Sequence, residues 1–145
     1  MKQTDLLKLK KPEANDFYNV NDFNANMDML SAANRAELFP AERPVRTKTH
    51  EDVSTYYAEC STAKNCLVAD GCIIEGEIDN CIISSDVRIR KGAQLSGCVI
   101  MRGTEIGEGV IMKNVIADKS STVSSFRTIM GSEKLPVVLP KGTKI

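Results

Sequence analysis

The sequence predicts an all-β protein, a parallel β-helix in which each coil has three short sides. Two observations support this prediction: a repeat with a period of six residues, and a core that must be built with few aromatic side chains. Aromatic residues make up 5% of the chain and Trp is absent. An amphipathic helix would repeat near 3.6 residues and a half-buried strand would alternate every two, so neither explains a six-residue period.

The repeat is visible in four stretches that align without gaps. Their first residues are 15, 17 and 17 positions apart, and the stretches read NCLVADGCII (65–74), NCIISSDVRI (80–89), GCVIMRGTEI (97–106) and NVIADKSSTV (114–123). Aliphatic residues recur six positions apart, and small or β-branched residues mostly lie four positions after each. We expect the aliphatic side chain to point inward and the small one to lie at a corner. About four coils then stack about 4.8 Å apart.

The segments on either side of the coils are assigned from their capping and turn residues. Residues 31–39 predict a short helix that Ser31 can cap and Pro40 ends. Residues 131–145 predict a turn, a short strand between two prolines, and a tail. The expected organisation is an arm at 1–30 that is poorly ordered or briefly helical in 1–23, a helical and extended lead-in at 31–60, the β-helix at 61–130, and the C-terminal strand and tail.

Charge and composition narrow the class of protein. The chain has 19 basic and 19 acidic residues, so nothing indicates a nucleic acid or an anionic membrane as partner. No apolar run reaches the roughly 18–20 residues of a membrane helix, and the first residues lack the apolar core of a secretory signal. Five cysteines without a CxxC pair predict reduced thiols. We therefore expect a cytoplasmic protein.

Two residue types are candidates for chemistry. Cys66, Cys81 and Cys98 occupy one position in three successive stretches, and stacked thiols can bind a metal. No His or acidic residue aligns with them, so we expect small hydrophobic core residues and neither metal nor cofactor. His50, the single histidine, precedes the coils and is expected to be solvated. One histidine excludes the three-histidine zinc site of a β-helix carbonic anhydrase.

One outward column of side chains is aliphatic. The residue before each inward aliphatic points outward, and on one side of the coils these residues are Leu67, Ile82, Val99 and Ile116. The equivalent positions of the next side are mostly polar: Ile73, Arg88, Glu105 and Thr122. An aliphatic strip marks a contact surface, so we predict that the first column meets the chain's own segment 31–60, another domain or another subunit.

Four cations form a candidate anion site. Arg88, Arg90 and Lys91 are close in sequence, and Arg102 lies in the next coil. Guanidinium groups bind phosphates through paired hydrogen bonds, so the cluster can take an anionic effector. The alternative is a solvated face of ion pairs, because acidic residues of the same and neighbouring coils should lie nearby.

The hexapeptide pattern resembles the left-handed β-helix family, and this resemblance alone implies the handedness. The flanks resemble one family more specifically, through NANMDML (24–30), AELFPAERPVRTKT (36–49), TYYAECSTAKNCLVADGCIIEGEI (55–78) and GSEKLPVV (131–138). That family is glucose-1-phosphate adenylyltransferase (ADP-glucose pyrophosphorylase), in particular the C-terminal region of its non-catalytic, regulatory-type subunit. The resemblance covers about residues 24–145.

The resemblance implies a role in glycogen synthesis through subunit assembly and allosteric regulation. Implied partners are a catalytic-type subunit or a second copy, and an anionic effector. The family's catalytic domain carries a Gly-rich nucleotide loop that has no match here, so no catalytic residue is carried over and we expect an inactive chain on its own.

Two alternatives stay open. The string LKLKKPEANDFYNVNDFNANMD (7–28) resembles the start of phage tail proteins, and this resemblance implies a foreign origin for residues 1–23, with a seam near residues 20–27. A structural, phage-related β-helix module is therefore the first alternative. A hexapeptide acyltransferase is the second, and the absence of a histidine beside an extruded loop disfavours it.

Overall fold

The computed structural model describes residues 2–3, 10–11, 30–44 and 52–145, in two units that comprise 1–50 and 51–145. In the first unit, β1 (Lys2–Gln3) and β2 (Lys10–Lys11) pair antiparallel, and α1 spans Ala32–Leu38. The predicted helix is thus confirmed. Ser31 is its N-cap, although the hydroxyl forms no capping hydrogen bond.

The arm predicted at residues 1–23 is described only at its two short strands, and these pair as a β-ribbon instead of forming a helix. The rest of the arm, and His50, lie outside the described residues. None of the described helices is both long and apolar enough to cross a bilayer.

The second unit is a parallel β-helix with three faces, and the predicted fold class is confirmed. Each face is a five-stranded parallel sheet, and the chain visits faces 1, 2 and 3 in turn. Face 1 contains β3 (Tyr56–Tyr57), β6 (Ile73–Ile74), β9 (Arg88–Ile89), β12 (Glu105–Ile106) and β15 (Thr122–Val123). Face 2 contains β4 (Thr62–Lys64), β7 (Glu77–Asp79), β10 (Gln94–Ser96), β13 (Ile111–Lys113) and β16 (Thr128–Met130). Face 3 contains β5 (Leu67–Val68), β8 (Ile82–Ile83), β11 (Val99–Ile100), β14 (Val115–Ala117) and β17 (Val137–Leu139).

The core is the predicted column of inward aliphatic side chains. On face 1, Ile74, Ile89 and Ile106 are aligned across neighbouring strands and each is 0% exposed. Because equivalent residues of neighbouring coils lie about 4.8 Å apart, each side chain packs on the one before it and the one after it. The column therefore needs no large rings, which explains the aromatic-poor composition.

The corner between faces 2 and 3 has one left-handed residue in each of the first four coils. Between faces 2 and 3 this position is held by Asn65, Asn80, Gly97 and Asn114, with φ between +48° and +60°. Asn adopts this conformation more readily than other side chains, which explains why Asn recurs in the repeat. The side-chain amide of Asn65 donates a hydrogen bond of 2.5 Å to the Asn80 side-chain oxygen, so the corners also stack.

The structure has five coils, one more than about four. The first strand of coil 1 and the last strand of coil 5 lack the hexapeptide pattern: β3 is a pair of tyrosines, and β17 is the short strand predicted between Pro136 and Pro140. The first interval of the repeat is 15 residues because coil 2 turns from face 1 to face 2 with Glu75 and Gly76 alone. The corresponding turn of coil 3 has four residues, 90–93.

The C-terminal tail continues face 1 beyond coil 5. Lys144 forms a parallel bridge with Thr122, and the Thr122 N–H donates to the Thr143 carbonyl at 2.7 Å. The Ser124 N–H donates to the Ile145 carbonyl at 2.6 Å. The tail thereby covers the last strand of face 1, while β16 and β17 remain the last strands of their faces.

Candidate functional site

The aliphatic column on face 3 is aligned as the sequence predicts. Leu67 pairs with Ile82, Ile82 with Val99, and Val99 with Ile116. The column continues to Val138, which pairs with Ile116 and which the repeat did not reach. These side chains precede the inward residues of their strands, so they stand on the outer surface of the sheet.

Burial divides this column into two halves. Leu67 and Ile82 are half-buried, whereas Val99 is 8% and Ile116 2% exposed. Neither Val99 nor Ile116 belongs to the inward core cluster, although both are buried. The outer surface of face 3 is therefore covered at coils 3 and 4 and partly exposed at coils 1 and 2. What the column contacts stays a prediction.

Face 1 presents a polar column in the same coils. Ile73, Arg88, Glu105 and Thr122 are aligned across its strands, as the sequence predicts. Arg88 is exposed and the other three are intermediate. A solvated face of this composition is what a monomeric surface normally carries.

Two of the four candidate anion-binding cations are used in ion pairs. Arg90 donates to Glu105 at 2.7 Å and 3.2 Å, and Arg102 donates to Asp86 at 3.0 Å and 3.2 Å. The hydrogen bond with Glu105 and its negative charge raise the pKa of Arg90. Lys91 is exposed, and it forms no salt bridge with another residue in the described parts of the chain.

The four cations also do not converge on one pocket. Arg90 and Lys91 follow β9 at one edge of face 1, whereas Arg102 precedes β12 at the opposite edge. A shallow depression of about 350 Å³ beside Arg90 is lined by Glu105 and Glu108 as well as by hydroxyl groups. Its two carboxylates oppose an anion there, so Arg88 and Lys91 are the cations left for an anionic ligand.

The three aligned cysteines are part of the core column. Cys81 and Cys98 are 0% exposed, and the same column continues in coils 4 and 5 with Val115 and Val137. Each thiol donates to a backbone carbonyl two residues earlier, at 3.0 Å for Cys66, 3.1 Å for Cys81 and 3.3 Å for Cys98. Valine at the equivalent positions shows that the site needs a small apolar side chain.

The thiol chemistry of Cys66 and Cys81 agrees with this packing role, whereas the hydrogen bond with Cys81 lowers the pKa of Cys98. The hydrogen bond with Cys81, followed by burial, raises the pKa of Cys66. The hydrogen bond with Cys66 lowers the pKa of Cys81, but Cys98 and burial together raise it, to about 12. A protonated thiol is a poor nucleophile and a poor metal ligand. Across residues 30–44 and 52–145, no three His, Cys, Asp or Glu side chains are grouped as a metal would require.

A catalytic loop would interrupt the coils, as in the acyltransferase alternative. Between Tyr56 and Leu139 the longest connection between strands is the six-residue turn 131–136, where Ser132 and Leu135 form an isolated bridge. The repeat did not predict this turn or the exposed side chain of Phe126. The sequence does contain a signal for Phe126, because glycines, Gly92 and Gly109, occupy the equivalent corner position in the two preceding coils.

Comparisons with known proteins agree with this architecture. Residues 49–134 match the family model described as GlmU-like, C-terminal hexapeptide. The chain is 36% identical over 117 residues to the glycogen biosynthesis protein GlgD of Bacillus subtilis, covering 81% of this chain and 34% of that protein. It is 32% identical over 105 residues to a glucose-1-phosphate adenylyltransferase of Corynebacterium jeikeium, covering 71% of this chain and 26% of that enzyme. The chain thus spans about a third or less of these relatives.

Proposed function

We propose a function from one premise: the chain belongs to the GlmU-like, C-terminal hexapeptide family. The proposed function is that of the β-helix region of a glycogen-biosynthesis protein related to glucose-1-phosphate adenylyltransferase. In this role the chain is the assembly and regulatory part and performs no adenylyl transfer itself. The names of the two relatives support the pathway, and the matched region is only 34% and 26% of their length.

One observation carries the assembly role, namely the aliphatic column on the outside of face 3. Leu67 and Ile82 are outward and only half-buried, and neither belongs to the inward core cluster, so they are available to a partner, whereas Val99 and Ile116 are already buried within the chain. Burying apolar side chains against a partner stabilises a complex by roughly 25 cal/mol per Å² of area removed from water. We propose that face 3 binds a catalytic-type subunit of the same cell, beginning at the half-buried side chains of Leu67 and Ile82.

The test is a charge placed on this column. Ile82→Asp introduces a carboxylate at a half-buried outward position of coil 2, and it should abolish association with the catalytic-type subunit in size-exclusion chromatography with light scattering. Val99→Asp tests the covered part of the column. Gln94→Asp is the matched control, because Gln94 is an exposed outward residue of face 2 in the same coil as Val99.

The outcomes separate the proposed function from its alternatives. Wild-type co-elution that Ile82→Asp removes and Gln94→Asp preserves supports the proposal, provided that both variants keep the wild-type melting temperature. Co-elution that survives Ile82→Asp contradicts the role of face 3. A homotrimer that ignores the partner would favour the structural module. ADP-glucose formed by the purified chain alone would refute the non-catalytic role.

A further inference from the structure

The apolar side chains that stay exposed in the second unit are concentrated at the two ends of the β-helix. At the first coil they are Val53, Tyr56 and Tyr57, and Val53 is 78% exposed. At the last coil and tail they are Phe126, Met130, Leu135 and Ile145. Between these ends the only such residue in 52–145 is Ile111, at 38%. The surface that exposes large apolar groups is therefore the pair of ends.

The two ends carry opposite charge. Between Asp52 and Asp79 the sequence has six acidic residues and one basic residue. Between Lys119 and Lys144 it has five basic residues and one acidic residue. All of the basic residues in this last segment are exposed, and four of the acidic ones at the first end are too, namely Glu59, Asp70, Glu77 and Asp79. The ion pairs of residues 52–145 are in the middle coils, so none of these end charges is neutralised by a salt bridge there.

Face 2 ends in an open strand at the last coil. The Ile111 N–H donates to the Arg127 carbonyl, and the Gly131 N–H donates to the Lys113 carbonyl, each at 2.8 Å. In a parallel strand, alternate residues direct their backbone groups to opposite neighbours. Because Arg127 and Gly131 face β13, the N–H and C=O groups of Thr128 and Met130 face away from it. Within the described residues, no strand follows β16.

In residues 52–145, face 2 also ends in an open strand at the first coil, with the complementary pattern of backbone groups. The Thr62 N–H donates to the Gly76 carbonyl at 3.3 Å, and the Lys64 carbonyl accepts from the Asn80 N–H at 3.0 Å. The backbone groups of Ala63 therefore face away from β7. Ala63 is the middle residue of β4, and Ile129 is the middle residue of β16. In β16 the middle residue bonds to the strand of the preceding coil, so in β4 the middle residue is free to bond to a preceding strand in the same way. A copy of β4 placed after β16 would continue the ladder in register.

We propose that the chain associates with second copies of itself head to tail, the basic last coil of one copy against the acidic end of the next, where coils 1 and 2 carry the acidic residues. The proposed partner is a second copy of this chain, because the chain itself carries both of the surfaces that the contact requires. The free backbone groups of β16 in one copy can bond to the free backbone groups of β4 in the next copy. The basic end of one copy likewise attracts the acidic end of the next. Opposite charge steers such ends together, and unpaired strand edges are templates for pairing.

The geometry of this contact predicts open-ended growth. A head-to-tail interface joins two different surfaces, so an assembly of any length keeps one free basic end and one free acidic end. Further copies can therefore add unless the assembly closes into a ring. The contact lies at the ends of the coils and uses no residue of the outer column of face 3. It is therefore independent of the proposed function, and either can fail without the other.

Sedimentation velocity of the full chain tests the proposal. The average mass should rise with protein concentration beyond a dimer, and the association constant should fall about tenfold or more between 50 mM and 500 mM NaCl, because salt screens exposed charges. A chain that stays monomeric at all concentrations in 50 mM NaCl, or a dimer that does not grow, would overturn the proposal.

Charge reversal supplies the decisive comparison. A basic-end variant carries Lys134→Glu with Lys141→Glu, and an acidic-end variant carries Glu59→Lys with Asp70→Lys. The first variant brings the net charge of residues 119–144 from +4 to 0, and the second brings that of residues 52–79 from −5 to −1. Each therefore removes most of the attraction between the ends and should lose association, whereas an equimolar mixture should regain it between the unchanged basic end of one variant and the unchanged acidic end of the other. The matched control, Lys91→Glu with Lys113→Glu, changes net charge equally in coils 3 and 4 and should associate like wild type. A mixture that stays monomeric, or a single reversed variant that still grows, would contradict head-to-tail contact.

Discussion

Faces 1 and 3 have equivalent inward columns of aliphatic side chains but different outer surfaces. On face 1 the outward residues Arg88, Glu105 and Thr122 are polar, and Arg90 beside them is paired with Glu105. On face 3 the corresponding column is aliphatic, and it is buried at Val99 and Ile116. The coil geometry requires only the inward column. The outer surface is free to vary, so its residues indicate what each face contacts and are not needed for the fold itself.

The largest effect should come from the inward column, where the two faces are equivalent. Ile106 on face 1 is 0% exposed and packs between Ile89 and Val123. Ile106→Ala leaves a cavity that the rigid stack cannot close and should lower the free energy of unfolding by about 2–5 kcal/mol. Urea denaturation followed by circular dichroism measures this loss.

The neighbouring outward residue is the control for this prediction. Glu105→Ala removes an exposed ion pair and should leave the urea midpoint nearly unchanged. If both substitutions cost the same, face 1 would contribute through its outer surface as well, and the contrast between the two faces would be lost.

A second prediction compares the two halves of the face 3 column. Ile116→Ala removes a side chain that is 2% exposed and should cost about 2 kcal/mol or more. Leu67→Ala removes a half-buried side chain of the same column and should cost about 1 kcal/mol or less. Urea midpoints of the two variants make the comparison. If the two substitutions lowered the free energy of unfolding equally, the two halves of the column would contribute equally to stability despite their different burial.

The repeat predicted the β-helix because packing and chain geometry are both local to a hexapeptide. The inward isoleucines and the left-handed asparagines could be assigned from spacing alone. The first and last coils could not, since Tyr57 and Leu139 complete the column without the hexapeptide pattern. The outward column of face 3 and a contact over it were predicted by alternation, but not that Ile116 would be buried while Leu67 stays half-buried. Exposure of an outward residue depends on what covers it, and a repeat contains no such information.

The four cations also show which features the sequence could predict and which it could not. The sequence placed Arg90 near Glu105 in the next coil, and the structure pairs them. It could not show that Arg102 lies at the opposite edge of face 1, where it pairs with Asp86. Sequence proximity gathers Arg88, Arg90 and Lys91, whereas a triangular coil distributes residues around corners. A set of cations within one coil is therefore weaker evidence for a site than a set at one position of successive coils.

A smaller effect is expected from the thiol column that leads into face 3. The pKa of Cys81 is about 12, above the value near 9 of an unfolded thiol. The folded state then keeps its proton while the unfolded chain loses it, so stability from this group is complete below pH 9 and is lost as pH rises from 9 toward 12. Urea midpoints at pH 7 and pH 10.5 should differ less in Cys81→Ala than in wild type. Cys60→Ala, at an exposed corner, should show the wild-type difference.

The smallest effect should come from an ion pair at the edge of face 1. Arg102 and Asp86 are 3.0 Å apart with side chains 43% and 47% exposed, and such pairs contribute about 0.5 kcal/mol or less. Asp86 has φ +57°, a conformation that Asn also tolerates. Asp86→Asn thus removes the charge without new backbone strain, and its urea midpoint should stay close to wild type and insensitive to salt. Asp86→Ala removes the same charge at the same left-handed corner and should cost more. If Asp86→Asn instead destabilised the protein as much as Ile116→Ala, the polar column of face 1 would be as important to the fold as the aliphatic column of face 3.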